Sequence, residues 1–103
     1  MSYQSKLKNK ETDELFKAIL LLKNEEECYR FFEDICTIKE LRAISQRLQV
    51  AKLLADNKTY NEIEAATNAS TATISRVNRC LIYGADGYKT ILKRLDPSNP
   101  PGK

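Results

Sequence analysis

Between Leu15 and Leu22 seven of eight residues are apolar, and only Lys17 interrupts them. Wound as a helix, Leu15, Phe16, Ala18, Ile19, Leu20, Leu21 and Leu22 point in nearly every direction around the axis, and a helix apolar all round has to be covered on most sides. The chain has 103 residues, and a domain of that size buries a limited share of its surface. A partner chain is the simplest cover. The run is too short to cross a bilayer and lacks the small-residue cleavage pattern of a signal peptide. The sequence therefore predicts a soluble, cytoplasmic protein with no membrane partner.

Composition narrows the class further. With 42 % hydrophobic and 30 % charged residues the chain has ordinary globular usage, and three Gly and three Pro suit helices joined by short turns better than a loop-rich β fold. There is no histidine, which removes the commonest general base and the commonest metal ligand. The three cysteines, Cys28, Cys36 and Cys80, form no CxxC pair and have no histidine to complete a zinc site. Neither a glycine-rich phosphate loop nor an obvious carboxylate dyad is present. The expectation is a non-enzyme without metal or cofactor. Charge is uneven: residues 1–35 carry a net −2 and residues 36–103 a net +5, so the C-terminal two-thirds is the part suited to a polyanion.

Along the chain, residues 1–11, with Lys6, Lys8 and Lys10, read as a flexible basic arm. Thr12 is the expected N-cap of the first helix, with Asp13 and Glu14 placed to complement its dipole. Asn24 and Glu27 open a second helix whose face is Cys28, Phe31, Phe32 and Ile35. Thr37-Ile38-Lys39-Glu40 reads as a capping box for a long third helix with the stripe Leu41, Ile44, Leu48, Ala51 and Leu54 or Ala55, ended by Asp56-Asn57-Lys58. Thr59-Tyr60-Asn61-Glu62 opens a very short helix carrying Ile63 and Ala66. Asn68 falls where a tight turn is needed and tolerates the left-handed conformation. Ser70 caps a fifth helix, from Thr71 to about Ile82, with Ile74, Val77 and Leu81 inward and Gly84 after its end. Asp86 begins a sixth with Tyr88, Ile91, Leu92 and Leu95 inward. Residues 96–103, rich in proline, form a disordered tail.

Two short helices about a three-to-four-residue turn, over roughly 59–82, describe a helix-turn-helix. Its second helix presents Thr71, Ala72, Thr73, Ser75, Arg76 and Arg79 outward, and no acidic side chain occurs from Asn68 to Ala85. Small residues at a helix N-terminus admit close approach to a groove; hydroxyls and backbone N–H groups bind phosphate, and arginine binds phosphate or guanine edges. Lys58 and Asn61 complete the set assigned to double-stranded DNA.

The run Asn68-Ala69-Ser70-Thr71-Ala72-Thr73-Ile74-Ser75-Arg76, preceded by Thr59-Tyr60-Asn61-Glu62-Ile63, resembles the reading head of the Trp repressor superfamily, most closely its YerC/YecD-type branch. Leu41-Arg42-Ala43-Ile44-Ser45-Gln46-Arg47 extends the likeness, which spans about Thr12 to Leu95. The resemblance implies an all-α, six-helix Trp-repressor-like fold over 12–95, with a helix-turn-helix, in an intertwined homodimer. It also implies a second motif helix in the major groove and a palindromic operator with half-sites about 34–36 Å apart. The function so implied is a sequence-specific transcriptional regulator, a repressor; the alternative is a helical dimeric protein-interaction module without DNA binding. The two arginines that flank tryptophan in the repressor correspond to Arg47 and Arg76, and a planar guanidinium suits an aromatic face or a carboxylate. Val77 stands where the repressor has glycine at the pocket wall, and Cys80 replaces a serine that helps hold the amino acid. Arg47, Arg76, Val77 and Cys80 thus form a possible pocket for a small-molecule effector of unknown identity, other than tryptophan. Glu64 stands where the family's motif has alanine, so it is splayed outward or weakens DNA affinity.

Overall fold

The computed structural model describes residues 3–96 and Ser98. Among them are six helices and no strand: α1 (Lys10–Leu20), α2 (Glu25–Ile35), α3 (Ile38–Ala55), α4 (Tyr60–Thr67), α5 (Thr71–Tyr83) and α6 (Gly87–Leu95). The chain divides into two compact units, Met1–Ile38 and Lys39–Lys103.

In the first unit, α1 starts earlier than its sequence suggests. Asn9, not Thr12, is the N-cap: its side-chain oxygen accepts from the Thr12 N–H at 2.7 Å. Lys10 and Glu11 are therefore helical rather than part of an arm. Before them the Leu7 N–H donates to Ser5 Oγ, and the Lys8 ammonium lies 2.8 Å from the Asp13 carboxylate. Met1 and Ser2 lie outside the described residues. At its other end α1 stops at Leu20, and the Leu21 and Leu22 N–H groups close onto the Ala18 and Ile19 carbonyls, three residues back. Asn24 caps α2 as expected, accepting from the Glu27 N–H, while the Glu27 carboxylate reaches back to the Lys23 N–H. Neither α1 nor α2 contains a buried residue. Leu20 is 83 % exposed, and Leu21, Phe16, Tyr29 and Ile35 also stand open to solvent.

The second unit closes a core around Val50, Ala51, Ile63, Ala69, Ile74 and Val77, with Leu53, Leu54, Leu81, Tyr88 and Leu92 packed against it. The expected inner face of α5 is borne out. That of α3 is borne out at Ala51 and Leu54, which Val50 and Leu53 join at the core, and departs at Ile44, which is half exposed. Ala66 of α4 and Ile91 and Leu95 of α6 are likewise exposed rather than inward.

The turns are built by specific caps. Asn57 is left-handed (φ 62°), with the Lys58 N–H bonded to the Leu53 carbonyl and the Asn57 N–H to that of Leu54, a Schellman closure that ends α3. Thr59 and Glu62 form a full capping box at the start of α4. Beyond α5, a Cβ on Gly84 would collide with the Cys80 carbonyl, so only glycine fits that exit. Asp86 precedes α6 in the left-handed region without a side-chain cap. Of the proline-rich tail, Asp96 accepts from both the N–H and the hydroxyl of Ser98; Pro97 and residues 99–103 lie outside the described residues.

Candidate nucleic-acid interface

The turn between α4 and α5 is three residues long and heavily fastened. Asn68 takes φ 60°, and its N–H closes onto the Glu64 carbonyl at 2.9 Å. The neighbouring Thr67 hydroxyl donates to the Ile63 carbonyl and accepts from the Ala69 N–H. From α3, the Gln46 side-chain amide donates to the Thr67 carbonyl at 3.0 Å. Ala69 is 1 % exposed and plugs the core beneath the turn. Sequence reasoning singled out Asn68 but passed over Gln46, Thr67 and Ala69. A threonine followed at once by a left-handed Asn is the local signal that was there to be read.

Ser70 then caps α5, accepting from the Thr73 N–H and donating to Thr73 Oγ1, both at 3.1 Å. At about 100° per residue, Thr71, Ala72, Ser75, Arg76 and Arg79 fall within about 140° of arc. All five are exposed, and the buried Ile74 and Val77 lie on the opposite side. Thr73 departs from the outward set: it is half-buried at the edge of this face. Asn61 and Lys58, at the start of α4 and just before it, are exposed, as is Glu64. The Thr59 backbone N–H and hydroxyl bond the Glu62 carboxyl and hold its pKa below the ordinary 4.5, with a smaller contribution from Lys58, so α4 opens on a fixed negative charge.

The four residues expected to form an effector pocket separate into two pairs. Arg47 and Cys80 line one open cavity of about 470 Å³, together with Ile44, Leu48, Gly84, Ala85, Gly87, Tyr88 and Ile91. Arg76 is absent from that lining, and Val77 is 2 % exposed and belongs to the core. The Val77 side chain thus does not line this cavity. Partial burial, and then the neighbouring Cys80, push the Tyr88 phenol above its usual 10, while the Arg47 guanidinium acts in the opposite direction. Tyr88, Gly87 and Ile91 come from α6, which sequence reasoning had assigned to packing alone. Among the described residues no group of His, Cys, Asp and Glu side chains is placed to hold a metal ion, and no helix is long and apolar enough to cross a membrane.

Six helices with a capped, three-residue turn ahead of an acid-free outer helix face define an all-α protein, and comparison with known proteins gives its family. The family model described as Trp repressor protein matches residues 10–96. The chain belongs to the Trp repressor family, a family of DNA-binding regulators rather than enzymes. It is 58 % identical over 90 residues to the uncharacterised protein YerC of Bacillus subtilis (strain 168), covering 87 % of this chain and 86 % of that one. Among solved structures it is similar to a Staphylococcus aureus protein provisionally named a Trp repressor. That match has a TM-score of 0.86 at 53 % identity, over 92 % of this chain and 95 % of the other. A TrpR-like protein from Eubacterium eligens ATCC 27750 matches with a TM-score of 0.86 at 54 % identity, over 89 % and 95 %.

Proposed function

We propose that this protein is a transcriptional repressor that binds a palindromic DNA operator as a homodimer, through α4, the Asn68–Ser70 turn and α5. The observation that carries this reading is the outer face of α5. Thr71, Ala72, Ser75, Arg76 and Arg79 are exposed together on a helix that no acidic residue joins between Asn68 and Ala85. Small groups lead and cations follow, so the tip can enter a groove while the arginines meet phosphates or guanine edges. The +5 balance of residues 36–103 is modest, which places the burden of specificity on base contacts and on the spacing of two heads. Replacing Arg76 or Arg79 with alanine is expected to weaken operator binding and to reduce the salt dependence by about one counterion per lost phosphate contact, without unfolding the protein. Unchanged affinity in both variants at fixed salt would overturn the reading. A purified protein with no salt-dependent DNA binding at all would favour a helical protein-interaction module instead.

The second copy is needed to cover α1 and α2. Leu20, Leu21, Phe16 and Ile35 are each at least half exposed, and large apolar side chains left open together mark an interaction surface. A regulator of this kind works in the cytoplasm, where its DNA is. We place an effector, of chemistry unspecified but different from tryptophan, in the cavity beside Arg47 and Cys80. In support of excluding tryptophan, Arg76 lies outside that lining, so two arginines do not converge on the cavity. Tryptophan is expected to leave both the melting temperature and operator affinity unchanged, and a saturable rise in either would sink this part of the reading.

A further inference from the structure

The last carbonyls of a helix have no partner within it. At the end of α4 the Thr67 carbonyl is one of these, and its partner comes from another helix: the Gln46 side-chain amide of α3 donates to it at 3.0 Å, in a partly buried position. Gln46 stands four and seven residues before Val50 and Leu53, so it continues by one turn the face of α3 that meets the core. An apolar side chain would suit that place by pattern; an amide stands there instead. Thr67 passes the tie onward. Its hydroxyl donates to the Ile63 carbonyl and accepts from the Ala69 N–H, and Ile63 and Ala69 are both buried in the core. Among the described residues the Gln46 amide makes the one side-chain hydrogen bond from α3 to α4, the turn or α5; beside it stands the apolar packing of Val50, Ala51, Leu53 and Leu54. Apolar packing is non-directional, whereas a hydrogen bond fixes both distance and angle. The helix-turn-helix is joined to α1 and α2 through α3, with only Cys36 and Thr37 between α2 and α3.

We propose that Gln46 is the positioning residue of the helix-turn-helix: its amide on the Thr67 carbonyl sets the angle at which α4 and α5 leave α3, and thereby the distance between the two heads of the dimer. It governs which half-site spacing is accepted and leaves unchanged the bases each head reads. This rests on the homodimeric DNA-binding reading above and adds to it the residue that sets operator spacing.

The test uses the full-length protein and a duplex selected by it from a random pool, together with duplexes whose central spacer is one base pair longer or shorter. Wild type is expected to select a single spacing. Gln46→Leu keeps the bulk and removes the donor; Gln46→Glu keeps the shape and faces the carbonyl with an acceptor. With each head then divided evenly between two angles, the competent dimer is about a quarter of the population, so affinity for the selected duplex is expected to fall about fourfold. Selection by either variant is expected to return the same half-site bases at more than one spacing. Gln46→Lys supplies a donor of similar reach and is expected to restore the single spacing. Thermal unfolding shows that each variant is folded. A single, wild-type spacing in both Gln46→Leu and Gln46→Glu, altered half-site bases in them, or spacing as relaxed in Gln46→Lys as in Gln46→Leu would overturn the proposal while leaving the regulator reading intact. Selection of no duplex by wild type would overturn the regulator reading and this proposal with it.

Discussion

The two units of this chain have similar apolar content in their helices and use it differently. In Lys39–Lys103, Val50, Ile63 and Ile74 are fully buried by residues of the same unit. In Met1–Ile38 no helical side chain is buried at all, although α1 and α2 carry leucines, phenylalanines and isoleucines. Apolar residues in the second unit stabilise a tertiary core; those in the first stand open, and the proposed homodimer is what would cover them. The difference teaches that hydrophobic patterning states how much surface must leave water, and says nothing about which chain will cover it.

That contrast can be broken most sharply from the N-terminal side. Changing Phe16 and Leu20 together to aspartate is expected to raise the dimer dissociation constant about a thousandfold or more, since each dimer loses four apolar side chains worth about 1.5–3 kcal/mol apiece. Sedimentation at micromolar concentration checks it, and a wild-type mass in the double variant would mean that α1 is not at the dimer contact. A smaller effect is expected from Ile74→Ala. It deletes part of the buried core and should cost about 2–5 kcal/mol in denaturant unfolding while the protein remains dimeric. A loss below about 1 kcal/mol would show that the second unit's core is not the stabilising element its burial indicates. Smallest is Thr59→Ala, which removes the hydroxyl half of the capping box at α4, leaves the Thr59 N–H on the Glu62 carboxylate, and should cost about 1 kcal/mol. The cap also makes a pH signature. Because the Glu62 pKa is lowered on folding, its contribution is complete above about 4.5, the unfolded value, and fades as pH falls through the lower folded value. Thermal melts between pH 6 and 3 should converge for wild type and Glu62→Gln; a gap that widened in acid would contradict that linkage.

Local rules were legible in the sequence wherever a cap had its own chemistry. Asn24, Thr59 with Glu62, Asn68, Ser70 and Gly84 all mark the boundaries that the structure places there. Thr12 failed as a cap because Asn9, three residues earlier, offers a side-chain oxygen within reach of the Thr12 N–H. The α3 stripe was legible only in part. Ala51 and Leu54 reach the core as expected, but Val50 and Leu53 join them and Ile44 does not, because the helix is apolar on more than one side and periodicity alone does not say which side is covered. The exposed face of α5 was readable because its apolar side is unambiguous. The cavity was not, because its wall is completed by Gly87, Tyr88 and Ile91 from a helix distant in sequence from Arg47. Val77, grouped with the pocket by the family resemblance, has its side chain in the core and does not line this cavity.

Among the described residues three hold the left-handed conformation without being glycine: Asn57, Asn68 and Asp86. Each accepts a little local strain, and each leaves the unfolded chain fewer shapes to explore than glycine would. At Asn68 the result is a hinge position without a hinge. The outer helix is presented at one orientation before anything meets it, so encounter with a matching surface needs no rearrangement of the joint, and a mismatched surface gains nothing from waiting for one.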